Sequence, residues 1–118
     1  VLQNKHAIGM LDEHPLVVQG RGALSTYAYQ CVAGGIPLSL FVQMTQVLAP
    51  ERADLLIVLA PGSSGGDRVV EAYCNPPAEV LRLCARRCAF VSTDGRSREE
   101  VARRCVEAIA GAVLSFAL

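Results

Sequence analysis

From Leu24 to Met44 the chain holds two runs of strand-forming residues separated by Gly34-Gly35, a pair that tolerates the positive φ of a two-residue hairpin turn. With Ala33 paired to Ile36, Cys31 falls opposite Leu38, Tyr29 opposite Leu40 and Tyr27 opposite Val42, all on one face. The other face is more polar, with Phe41 as its aromatic exception. A slip of one residue would mix the two sets, so turn and pattern agree on the register. Pro37 cannot donate to a ladder and marks a free edge. Ahead of this, His6 to Leu11 and Leu16 to Gly20 are short apolar runs around the turn-like Asp12-Glu13-His14-Pro15, and a second hairpin is expected there.

After the hairpin, Ala53 to Ala60 is a nearly continuous apolar run closed by Pro61-Gly62, the pattern of a strand covered on both faces. Gly62 to Asp67 is a loop, and Val69 to Cys74 fits either a strand or a helix. Asn75 is placed to cap a helix that starts at Pro76 and turns Val80, Leu81, Cys84 and Cys88 inward. Cys88 to Thr93 predicts a further strand ending at Asp94-Gly95. Ser97 and Glu100 fit a capping box for a long C-terminal helix whose apolar stripe is Val101, Cys105, Ala108, Ile109, Ala112 and Phe116. The expected fold is therefore a single α+β domain over residues 1–118. An antiparallel sheet, hairpins first, is packed by two helices, the longer one C-terminal.

Composition narrows the function classes. The 118 residues are 52% hydrophobic and 19% charged, within the range of one globular domain. Eleven basic residues balance eleven acidic ones, which disfavours a nucleic-acid or anionic-membrane partner. No window holds the roughly 18 uninterrupted apolar residues of a membrane helix, and the start lacks the pattern of a signal peptide. Five cysteines, an odd number without C-x-x-C spacing, suit a reducing compartment, so a cytoplasmic location is expected.

Groups able to do chemistry occur singly. The loop Pro61 to Arg68 follows a strand and is rich in Gly and Ser, so its N–H groups are candidates to cradle a phosphate. It lacks both the G-x-x-x-x-G-K-[ST] lysine and G-x-G-x-x-G spacing, which favours a plain flexible connection. His6 and His14 suit proton transfer near neutrality, but no G-x-S-x-G elbow surrounds any serine, and a histidine in a polar turn ordinarily faces water. Cys84 and Cys88 share i, i+4 spacing without the further ligands a zinc site needs, so they read as core thiols. Arg82, Arg86, Arg87, Arg98, Arg103 and Arg104 alternate with glutamates in the manner of a solvated helix face, although arginine is also favoured at interfaces. No cofactor and no metal is expected.

The order of elements resembles the proteasome assembly chaperone 3/4 family over roughly residues 24 to 118. It comprises a Gly-turn hairpin (Tyr27 to Met44), an apolar strand (Asp54 to Ala60), a helix ending in basic residues (Ala78 to Arg87), the strand Ala89-Phe90-Val91-Ser92 and a closing helix. The resemblance implies a small domain without a catalytic centre that pairs with a related chaperone and helps assemble the α-subunit ring of the 20S proteasome. The Gly62 to Asp67 loop and the Val69 to Cys74 segment depart from it. Leu11 to Leu16 with Ala53 to Ile57 is similar to the middle domain of thiamine-diphosphate enzymes, and Ser92 to Glu100 to the end of ATP-grasp ligases. Neither likeness accounts for the hairpin.

Together these features point to a non-enzymatic interaction or assembly domain acting as a homo- or hetero-dimer. Its partner is a protein, with proteasome α subunits as the specific form. Phe41, Asp67 and Arg68 are the candidate partner-binding residues. The alternative is a small ligand- or phosphate-binding α/β domain using the Gly62 to Asp67 loop.

Overall fold

A computed structural model describes residues 16–20, 22–48 and 52–117. The expected hairpin run His6 to Leu11, the turn Asp12 to Pro15 and both histidines lie outside the described residues; Leu16 to Gly20 is irregular. The described chain forms a short helix α1 (Ala23–Thr26), a π-helical segment (Tyr27–Ala33), α2 (Leu38–Leu48), β1 (Ala53–Ala60), α3 (Arg68–Cys74), α4 (Ala78–Cys84), β2 (Ala85–Ser92) and α5 (Arg98–Ala117).

The sheet corrects the expected fold. Its two strands run parallel, with Ala53 beside Ala85, Val58 beside Phe90 and Ala60 beside Ser92, so the antiparallel hairpin sheet does not form. Parallel neighbours need a crossover, and α3 and α4 supply it between Pro61 and Cys84. The segment from Tyr27 to Met44 is helical on both sides of Gly34-Gly35. The glycines serve a helix end instead of a hairpin turn. A Cβ on Gly34 would meet the Gln30 carbonyl oxygen at 2.6 Å, and Gly35 takes φ +76°, the left-handed conformation that closes a helix. Pro37 opens α2, its carbonyl accepting from the N–H groups of Leu40 and Phe41.

What decides the helical outcome is burial at a helical period. Ala23, Leu24, Tyr27, Ala28 and Cys31 form one inward stripe, and Leu38, Phe41, Val42 and Thr45 form a second at i, i+3, i+4 and i+7. These stripes meet Val58, Val80 and Cys84 in a single core, with Leu56 and Ala60 packed against it. The rings of Tyr27 and Phe41 lie tilted, 5.9 Å apart. The Tyr73 hydroxyl donates to Ser25 Oγ at 2.7 Å and ties α3 to α1.

On the strands the residues alternate as a pleat requires. Leu56, Val58 and Ala60 face this core, while the odd-numbered residues of β1 lie on the opposite face. The long helix α5 contacts both strands, and its Ala112 is buried.

One open segment is resolved and two boundaries differ from expectation. Val69 to Cys74 is helical because the Asp67 carboxylate caps it, accepting from Val69 N–H at 2.9 Å and Val70 N–H at 3.1 Å. Asn75 closes α3 and donates to Glu71 Oε1, so the N-cap of α4 falls to Pro77. Finally, α4 stops at Cys84 and β2 begins at Ala85, which moves Arg86, Arg87 and Cys88 from a helix to a strand.

Candidate functional site

Both strands end at the same side of the molecule, where an open parallel sheet generally receives ligands. The loops that follow them are joined there: Gly62 N–H donates to Asp94 Oδ2 at 2.7 Å, and Thr93 N–H donates to the Ala60 carbonyl. Glycine at 62 leaves room for this approach, since a Cβ there would meet Asp94 Oδ2 at 2.8 Å and push the carboxylate aside. Beside the loop, a cleft of about 370 Å³ lies between the π-helical segment and α3, lined by Tyr27, Val32, Ser64, Asp67, Arg68 and Glu71 among others.

Several of the loop's N–H donors, however, already have partners within the chain. Gly65 N–H donates to Ser63 Oγ at 3.4 Å and Gly66 N–H to Ser64 Oγ at 3.3 Å. Asp67 N–H donates to the Ser64 carbonyl, while Val69 and Val70 donate to the Asp67 carboxylate. The position a bound anion would occupy at the start of α3 is held by a side-chain carboxylate of the same chain. Arg68, the loop's only cation, donates to the Val32 carbonyl at 3.0 Å. Asp67 and Arg68 thus hold α3 in place: one caps it, the other fastens it to the π-helical segment.

Phe41, expected on an exposed hairpin face, is 3% exposed and belongs to the core. Its burial follows from the change of period, because a residue that alternates outward on a strand turns inward on a helix that also buries Leu38 and Thr45.

The outward face of α2 is the surface that the hairpin pattern concealed. Leu40, Met44 and Val47 are exposed by 44%, 43% and 77%, at i, i+4 and i+7, on one side of a helix without a single charged residue. The exposed polar residues of this helix are Ser39, Gln43 and Gln46, also uncharged. On the inner side Thr45 is buried, and its hydroxyl has no hydrogen-bond partner among the described residues.

A second open surface runs beside β2. A groove of about 510 Å³ is lined by Ala89, Phe90, Val91 and Ser92 of the strand and by Arg96, Arg104 and Glu107 nearby. Arg96 donates to the Ser92 carbonyl at 2.7 Å, and Glu100 draws Arg96, Arg103 and Arg104 together at 3.5 to 3.9 Å. The capping box is thus half formed. Ser97 Oγ accepts from Glu100 N–H at 3.2 Å, but the Glu100 carboxylate is committed to the arginines.

All five cysteines are unpaired. Burial, with the Cys88 thiol nearby, pushes Cys84 from an ordinary 9.0 up to about 12, and burial also raises Cys31 and Cys88. Cys84 and Cys88 lie on different elements. Among the described residues no cluster of three His, Cys, Asp or Glu could hold a metal ion, and no helix is long and apolar enough to cross a membrane. Comparison with family models, with curated proteins and with solved structures gives no match to this chain.

Proposed function

We propose that this chain is a non-enzymatic interaction domain that binds a protein partner through the outward face of α2. One observation carries this: an uncharged helix leaves Leu40, Met44 and Val47 in contact with water along a single stripe. Helices that face solvent ordinarily carry charge there, and a contiguous apolar stripe lowers its free energy when another protein covers it. The fitting partner is an apolar helix or groove without charge at its centre, since an unpaired charge buried against this stripe would cost several kcal/mol. The engaged donors of the Gly62 to Asp67 loop point the same way, as they leave the surface and not the loop to do the binding. The five unpaired thiols are consistent with work in a reducing compartment.

Proteasome α subunits are the partner that the family resemblance implied. That form rested on an order of elements that opened with the Tyr27 to Met44 hairpin, and with the segment helical that order no longer fits, so the general interaction role is the one advanced. Affinity purification of the full chain from its native cell, beside a Met44→Glu/Val47→Glu variant, tests it. Both side chains point outward, so the variant keeps its circular dichroism and melting temperature. The expected outcome is a partner that copurifies with the wild type and weakens at least about tenfold with the variant. Equal recovery by a folded variant refutes the assignment of this face.

A further inference from the structure

We draw no further inference here: the strongest candidate, the exposed apolar stripe of Val106, Val113 and Leu114 along α5, is an unpartnered helix face, and nothing in the structure shows what covers it.

Discussion

Replacing Asp67 separates a structural loop from an anion site. Asp67→Ala removes the carboxylate that accepts from Val69 and Val70 and leaves both N–H groups without that partner. Loss of such a cap costs about 1 kcal/mol, and loss of the negative charge at the first turn of α3 adds a few tenths. The cost reaches the core because α3 carries buried Ala72 and the Tyr73 hydroxyl bonded to Ser25. For 118 residues the unfolding entropy is roughly 0.25 kcal/mol/K, so a loss of about 1 to 1.5 kcal/mol lowers the melting temperature by about 4 to 6 °C. Asp67→Asn keeps a capping oxygen and stays within about 1 to 2 °C of wild type, Asn and Asp being near equals at this position. Thermal melts with and without inorganic phosphate complete the assay. Wild type should be indifferent to phosphate, because the Gly62, Gly65, Gly66 and Asp67 N–H groups already have partners and the Asp67 carboxylate holds the start of α3. Stabilisation of the wild type by phosphate, or an Asp67→Ala melt indistinguishable from wild type, would refute the account of a loop closed on itself.

Two further outcomes follow from buried groups. Thr45→Val replaces a buried hydroxyl without a partner by a methyl group of similar shape, and should stabilise the chain by about 1 kcal/mol in urea titrations; a loss of that size would show that the hydroxyl is satisfied in solution. Cys84 ionises about three pH units later in the folded chain than at its ordinary 9.0, so burying it as a neutral thiol favours folding fully below pH 9, and this contribution falls away as pH rises toward 12. At pH 8 a thiol reagent should modify Cys84 only after urea unfolds the chain, and equal rates in native and unfolded protein would contradict its burial.

The parts legible in the sequence are those fixed by local pattern. Ala53 to Ala60 reads as a strand and is one, although it is not covered on both faces, since Leu59 is 52% exposed and only Val58 is buried; Ser97 marks the start of the C-terminal helix through the bond its side chain accepts. The Tyr27 to Met44 segment was misread because its residues satisfy two periods. Leu38, Leu40 and Val42 alternate as on a strand, while Leu38, Phe41, Val42 and Thr45 recur as on a helix, and Gly-Gly suits either a hairpin turn or a helix end. Burial against Val58 and Val80 settles the choice, and nothing local reports it. Asp67 was a usable signal, since an N-cap residue directly before Arg68-Val69-Val70 marks a helix start. The parallel pairing of β1 with β2 lies beyond pattern altogether, because it depends on how α3 and α4 carry the chain back.

That correction also relocates the working surface. As a hairpin, the segment would have exposed Phe41 and covered Leu40 on the apolar face; as a helix it buries Phe41 and turns Leu40 outward with Met44 and Val47. The exchange leaves only two strands in the sheet of the described residues, and so small a sheet depends on packing from outside its own edges. Helix α5 and the core around Val58 pack on its faces. The change from antiparallel hairpin to parallel pair therefore exposes an apolar helix stripe. The stripe lacks directional groups, so on the proposed reading the partner's apolar shape and the absence of charge at its centre, more than hydrogen bonding, would set what it binds.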